Sequence, residues 1–323
     1  MEILELLDKL VQPLGPPRRE DEVRSLVEPH AHTVEVDRMS SLQAWLNPGT
    51  RPLVMLDAHL DEVVQRVEKS GFLRIASLGG PDPQVLPGSR VLLPPHVEKG
   101  AEADKIWPWK RLYVDLGVAG ARDLGVEVGT PGVVEAGHGP LGDGCYYTRK
   151  LDNRAGCALL CAILERLAAT PPAFGVCCNF AVAEEVGLRS AITAAYGIAP
   201  DLALMLVLEV TVGGTPGVEA ARNPSVLGRG PAVTVADGCI VVPWYLVESL
   251  EQAAERAGVA WQPKLPPYVG TDAGAVALSR GGAHDGFKRA HPLHTHAGVG
   301  AYNLGDLKAT LPQEASGLCG KPR

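Results

Sequence analysis

The chain contains several apolar runs of strand length, and each of them stops abruptly at a polar or acidic residue. The clearest runs are Pro52–Asp57, Val176–Ala183 and Leu202–Leu208. Helical patterns separate them, and the strongest is Asp152–Ala168, where apolar residues recur at three- and four-residue spacing. Strands that alternate with helices are typical of an α/β sheet covered by helical layers. The alternation therefore predicts an α/β/α sandwich.

One long segment interrupts this pattern. From about Val67 to Thr148 the sequence changes to short β-like pieces separated by Gly, Pro and charged residues, which is typical of a small β-rich domain. We therefore predict a discontinuous catalytic domain, residues 1–65 and 150–323, with residues 66–149 inserted as a β-rich domain.

Composition excludes several classes of protein. The formal net charge of −7 and the lack of a dense Lys/Arg run argue against a nucleic-acid partner. No uninterrupted apolar run reaches transmembrane length, and the N-terminus lacks the pattern of a signal peptide. Seven scattered cysteines, an odd number, fit a reducing cytoplasm better than a disulfide framework. We expect a cytoplasmic protein without a membrane partner.

Polar groups capable of chemistry stand at four strand ends, and one more stands late in the chain. They are His59 with Asp61, Asp152, the adjacent Glu184 and Glu185, Glu209, and His296. Singly, each has an ordinary explanation, and Asp152 at the start of a helix is first of all a helix N-cap. Because α/β sheets bind ligands at the carboxyl ends of their strands, together they predict a hydrolytic site with two metal ions. Zn²⁺ accepts this mixture of imidazole and carboxylate ligands.

Eight stretches, in order and at family-like spacing over nearly the whole chain, resemble the tetrahedral (TET) aminopeptidases. These co-catalytic metallopeptidases include glutamyl- and leucyl-aminopeptidase-like proteins and are sometimes labelled endoglucanases. The most specific stretches are VMLDAHLDEV (54–63), KLDNRAGCALL (150–160), VAEEVGLRSAITAAYGIAPDLAL (182–204), GTDAGAVALSR (270–280) and THAGVGAYNLGDL (295–307). A cellulase function is disfavoured, because two adjacent Glu residues cannot flank a sugar bond from two sides.

The resemblance implies a role for each candidate residue. One divalent ion, Zn²⁺ or Co²⁺, would be bound by His59, Asp152 and Glu209, and a second by Asp152, Glu185 and His296, with Asp152 bridging. Glu184 would be the general base that activates the attacking water, and Asp61 would orient His59. The turn with Thr271 and Asp272 would lie near the substrate.

The resemblance also implies a zinc-peptidase-like sandwich with a mixed central sheet, in which residues 66–149 form a β-barrel-like domain used for assembly. Family members form dimers that build a hollow dodecamer, which short peptides enter. The expected function is therefore a homo-oligomeric aminopeptidase that removes N-terminal residues from short peptides.

Four departures from the family pattern temper the resemblance, among them Gly300 in place of an acidic residue, and two of the four motivate an alternative. Glu209 stands where the family usually has Asp, and the polar segment 283–291 stands where it has a buried strand. We expect that such a segment cannot fill a central strand without a large desolvation cost, and that Pro312 breaks the last helix. The alternatives are a degenerate member that keeps only the assembly scaffold, or another dinuclear-metal hydrolase, such as a deacylase or carboxypeptidase.

Overall fold

The structure is a computed structural model. It describes residues 2–68, 73–78, 91–92, 113–114, 126–127, 129–200, 202–211, 225–264, 270–280, 287–292 and 299–318. The helices are α1 Ile3–Leu10, α2 Asp21–Val27, α3 Leu151–Ala169, α4 Arg189–Ile198, α5 Trp244–Arg256, α6 Asp272–Ala277 and α7 Leu304–Leu318. A short 3₁₀ helix, Glu28–His30, follows α2.

Sixteen strands are described. They are β1 Val34–Val36, β2 Leu42–Leu46, β3 Leu53–His59, β4 Val64–Glu68, β5 Leu73–Leu78, β6 Val91–Leu92, β7 Tyr113–Val114, β8 Pro131–Val134, β9 His138–Gly142, β10 Cys145–Thr148, β11 Gly175–Ala181, β12 Leu202–Thr211, β13 Ala232–Thr234, β14 Gln262–Lys264, β15 Phe287–Pro292 and β16 Gly300–Asn303. The predicted elements of the α/β part therefore form, with ends that shift by a few residues.

The central sheet has eight strands in the order β1-β2-β11-β3-β12-β15-β13-β14. β11, β3, β12 and β15 run parallel, whereas β2 joins β11 and β13 joins β15 in antiparallel orientation. All seven residues of β3 and of β11 are buried. A continuous apolar run suits a parallel strand that is covered on both faces. The predicted mixed central sheet is confirmed.

Helices cover both faces of this sheet. On one face, alternate residues of β3, including Val54 and Leu56, pack in the main core with apolar side chains of α1, α3, α5 and α7. On the other face, Leu53 and Met55 pack in a second core cluster with α4 and α6. Because successive side chains of β3 point to opposite faces, this strand contributes to both core clusters, as expected for a sheet between two helical layers.

The segment predicted as an insert contributes to two further sheets. β6, β8, β4, β5 and β7 form a five-stranded sheet, and all of them lie within residues 64–134. β10 pairs instead with β16 near the end of the chain, and β9 extends that sheet to three strands. The last part of the predicted insert is therefore hydrogen-bonded to the C-terminal part of the chain.

The polar segment near residue 290 forms a strand. β15 lies inside the central sheet, pairing with β12 from Leu206↔Phe287 to Thr211↔Pro292 and with β13 at Ala232↔Ala290. The prediction that this segment cannot fill a central strand is therefore wrong; residues 283–286 lie outside the described residues. Backbone N–H and C=O groups pair with neighbouring strands whatever the side chains are, so the register overrides the unfavourable composition.

The last helix continues past its proline. α7 spans Leu304–Leu318 and includes Pro312, so the predicted break is wrong. Leu307 and Leu311 are buried in the main core on this helix. Burial of these side chains offsets the one hydrogen bond that a proline removes from the helix. Within the described residues, none of the helices combines the length and the apolar character needed to cross a membrane.

Gly230 lies just before β13, and its backbone hydrogen bond to Asp306 links this segment to α7. It has a φ of 88°, its N–H donates to Asp306 Oδ1 over 2.7 Å, and a methyl group there would overlap the carbonyl oxygen of Ala260. We expect Gly230→Ala to lower the free energy of unfolding by about 3 kcal/mol, because left-handed backbone costs an L-residue roughly 1–2 kcal/mol and the overlap adds strain.

The matched control is Gly258→Ala. Gly258 also has a positive φ, 64°, but no described atom lies within 4 Å of the added methyl group. This variant should lose only about 1–2 kcal/mol, the conformational term alone. Denaturant unfolding of both variants measures the difference, and equal losses would contradict the steric argument.

Candidate metal centre

The parallel strands bring three of the candidate positions to one edge of the sheet. His59 is the last residue of β3 and is 2% exposed. In register it pairs with Ala181, the last residue of β11, three residues before Glu184. In β12, Glu209 follows two residues after Val207, which pairs with Asp57; the structure describes only the backbone of Glu209. His296 lies outside the described residues.

Asp61 contacts both His59 and the turn that carries Glu184 and Glu185. Its main-chain carbonyl lies 3.1 Å from His59 Nδ1, whereas its carboxylate Oδ1 is 3.6 Å from the same nitrogen. The two carboxylate oxygens accept the backbone N–H groups of Glu184 (3.0 Å) and Glu185 (3.1 Å). Asp61 thus contacts His59 and also fixes the turn that carries the two glutamates; its role in orienting the His59 ring stays a prediction.

Asp152 does not serve as the helix cap. Asp152 and Asn153 have non-helical φ/ψ, and Asn153 Oδ1 accepts the N–H of Gly156 over 3.0 Å, three residues on, as an N-cap does. The ordinary explanation for Asp152 therefore fails, because its neighbour caps α3. The Asp152 carboxylate instead lies 3.1 Å from His59 Nε2.

Glu184 and Glu185 complete a cluster of possible metal ligands. One ligand atom from each of His59, Glu184 and Glu185 lies within 4.8 Å of the others, and Glu184 Oε2 is 3.8 Å from His59 Nε2. With Asp152, three carboxylates and one imidazole converge at the end of β3. Oxygen and nitrogen donors of this kind suit divalent ions such as Zn²⁺.

The electrostatics of the cluster favour a cation. Burial opposes protonation of His59, but the Glu184 carboxylate and the hydrogen bond to Asp152 outweigh it and raise the pKa of His59 well above its usual value. Burial and then the Asp152 carboxylate raise the pKa of Glu185 well above that of a free Glu. The neighbouring carboxylates contribute to both shifts, and a divalent cation would offset their negative charge. The residues present therefore fit a metal ion.

The turn predicted to lie near the substrate begins α6. Thr271 and Asp272 are 2% and 1% exposed, and Thr271 Oγ1 is 3.4 Å from Asp237 Oδ2. Asp237 in turn accepts the backbone N–H groups of Cys239 and Ile240. The described contacts hold this turn against the loop before α5, and its role towards substrate stays a prediction.

Sequence reasoning missed a group of buried charges beside the site. Lys150 Nζ lies 3.2 Å from Glu62 Oε1, and the fully buried Arg154 donates to the carbonyl of Leu60, next to His59. Burial lowers the pKa of Lys150 to about 7, although Glu62 opposes the shift. In the sequence these residues look like ordinary solvated charges, and no local pattern indicates that they are buried.

Three known proteins are similar to the chain over nearly its whole length. A lysyl aminopeptidase of Pyrococcus furiosus is 25% identical over 335 residues, covering 95% of this chain and 94% of that protein. The structure of a TET aminopeptidase from a marine sediment Thaumarchaeota archaeon matches with 28% identity and a TM-score of 0.89, covering 98% and 95% of the two chains. The TET1 peptidase of Pyrococcus horikoshii, reported to assemble into a tetrahedron or an octahedral shell, shares the fold with a TM-score of 0.84 at 23% identity, covering 99% and 100%.

These similarities agree with the resemblance read from the motifs and with the ligand cluster at the sheet edge. The matched family covers most of the chain and includes every strand of the central sheet except β1. Because residues 41–312 match the M42 glutamyl aminopeptidases, the chain belongs to that family and is a metallo-aminopeptidase.

Proposed function

We propose that the protein removes N-terminal residues from short peptides at a two-metal site, with Glu184 as the general base. The observation that carries the proposal is the convergence of His59, Asp152, Glu184 and Glu185 at the carboxyl end of β3. Four donors around the buried His59 are more than a hydrogen-bonded surface pair requires, and their excess negative charge favours cations.

The ligands would divide as the family pattern implies. His59, Asp152 and Glu209 would hold one ion, and Asp152, Glu185 and His296 the other, with Asp152 shared. Zn²⁺ and Co²⁺ are the ions that this donor set suits, and when bound they polarise the scissile carbonyl and lower the pKa of water. The longer side chain of Glu209, in place of Asp, keeps a carboxylate at this strand end.

The remaining steps belong to the chain's own residues. Glu184 would take a proton from the attacking water and pass it to the leaving amine. Asp61 would keep both glutamates in place, since each of its carboxylate oxygens accepts one of their backbone N–H groups. Adjacent residues at a strand end project in different directions, so Glu185 can bind a cation while Glu184 faces the substrate.

Residues 66–149 would form the inserted domain through which copies of the chain assemble. The five-stranded sheet built within residues 64–134 supports a separate β-rich unit. The assemblies formed by the Pyrococcus horikoshii protein support a homo-oligomer, built from dimers and reaching a dodecamer. An enclosed active site would admit short peptides and exclude folded proteins.

One alternative loses its motivation. A degenerate scaffold was suggested by the polar segment near residue 290 and by Pro312, yet β15 and α7 both form. Within the described residues, His59, Glu184 and Glu185 also offer ligand atoms within 4.8 Å of one another.

The test is a panel of aminoacyl-p-nitroanilides, assayed with Zn²⁺ or Co²⁺ and with a chelator. We expect metal-dependent release of nitroaniline, and sequential loss of N-terminal residues from a short peptide followed by mass spectrometry. The same peptide with an acetylated N-terminus is the matched control and should stay intact. Release from the carboxyl end would favour a carboxypeptidase, and no metal-dependent turnover on any substrate would refute the proposal.

A further inference from the structure

We propose that Glu20 is a positioning residue for the Glu184–Glu185 pair, which it holds through the backbone of Ala183. The inference rests on the proposed function, because it assigns a new residue to the same site. Glu20 immediately precedes α2 in the N-terminal part of the chain, far from the glutamate pair in sequence, and is 3% exposed. Its carboxylate oxygen Oε1 accepts the N–H of Ala183 over 3.2 Å.

Three successive backbone N–H groups of the turn are held by two buried carboxylates. Glu20 accepts the N–H of Ala183, and Asp61 accepts those of Glu184 and Glu185. Each hydrogen bond from a backbone amide to a charged acceptor is stronger than one between neutral groups. Hydrogen bonds to three consecutive backbone N–H groups therefore fix the position of Glu184 and Glu185, and Glu20 accepts the first of these bonds.

The backbone at Ala183 needs this support. Ala183 is fully buried and has a φ of 57°, in the left-handed region that is unfavourable for a residue with a Cβ. A buried N–H without an acceptor would add the desolvation cost of an unpaired polar group. Without the Glu20 oxygen, the turn would lower its free energy by leaving this conformation, and both glutamates would move with it.

The segment that carries Glu20 is itself anchored to the site. Glu20 Oε1 also accepts the N–H of Arg18 over 2.8 Å. Gly15 and Glu62 exchange two hydrogen bonds, from Gly15 N–H to Glu62 Oε1 (2.8 Å) and from Glu62 N–H to the Gly15 carbonyl (3.0 Å). Because Glu62 follows Asp61, both carboxylates that hold the turn belong to segments bonded to each other.

Three variants separate the acceptor oxygen from the charge and the volume of the side chain. Glu20→Gln keeps an oxygen at the end of a side chain of equal length. Glu20→Met keeps the volume but offers no acceptor, and Glu20→Asp keeps the charge but withdraws the oxygen by one methylene. Glu22→Met and Glu22→Gln, at an exposed residue of α2, are the matched controls.

We expect the Met and Asp variants to lose about 10–100-fold in kcat, because small displacements of a catalytic group and the loss of outer partners of a metal site have effects of this size. KM should change less than about threefold, since substrate contacts are not altered. The Gln variant and both Glu22 controls should stay within about threefold of the wild type. Since the Asp variant retains a charged side chain, the test does not depend on the Met variant folding.

A second measurement does not need turnover. The affinity for Co²⁺, titrated by calorimetry on the metal-free protein, should fall about tenfold or more in the Met and Asp variants and stay near the wild-type value in the Gln variant. If the wild type lacks peptidase activity, the proposed function fails, while this titration still tests Glu20. The inference is overturned if the Met and Asp variants match the wild type, or if the Gln variant is as impaired as they are.

Discussion

Replacement of Glu184 by glutamine is expected to lower kcat by about 10²–10⁴-fold while leaving the bound metal and KM almost unchanged. The amide has nearly the shape of the carboxylate, so the turn held by Asp61 and Glu20 should persist. It cannot accept the proton from water, and proton transfer is the step for which Glu184 is proposed. Turnover of an aminoacyl-p-nitroanilide and metal content by elemental analysis are the measurements.

The control for this variant is Glu255→Gln, the same change at an exposed residue of α5. One outcome would reassign the residue: since Glu184 lies 3.8 Å from His59 Nε2 and within the ligand cluster, loss of metal on its replacement would make it a ligand. A variant that keeps both its metal and more than about a tenth of the activity would exclude Glu184 as the base.

Replacement of Asp152 by asparagine is expected to abolish both metal binding and turnover. In the proposed two-metal site Asp152 is shared by both ions, so its loss should weaken both sites, whereas loss of Glu185 should weaken one. Metal bound only to the folded state raises the unfolding temperature. The stabilisation that added Zn²⁺ gives the wild type should therefore disappear in this variant, as a thermal unfolding measurement would show.

The metal-free forms provide a sharper check. Asn153, not Asp152, caps α3, so metal-free Asp152→Asn should unfold close to the temperature of the metal-free wild type. Removal of the Asp152 carboxylate relieves its repulsion of Glu185 but weakens its attraction to a protonated His59, and the two effects oppose each other. A marked loss of stability would show that Asp152 has a structural role. Asp143→Asn, at an exposed turn, is the matched control.

Some of the site follows from local patterns. A histidine and several carboxylates at the ends of apolar runs indicate a ligand site, because parallel strands deliver their carboxyl ends to one edge. His59 and the Glu184–Glu185 pair meet there for this reason. The same patterns mislead where pairing with distant strands decides the outcome, as in β15, whose polar residues argue against the central position that its neighbours impose.

By itself, the sequence determined the alternation of strands and helices, the family, and which side chains stand at the strand ends. These are local properties, set by hydrophobic period and by the order of motifs. Only the tertiary structure decided which groups hold those side chains in place. Glu20 and Asp61 accept hydrogen bonds from the backbone of the turn that carries Glu184 and Glu185. Asn153, rather than Asp152, caps α3. The contacts of Glu20 and Asp61 join segments remote in sequence, and a hydrogen bond to a backbone amide does not depend on the residue type that donates it.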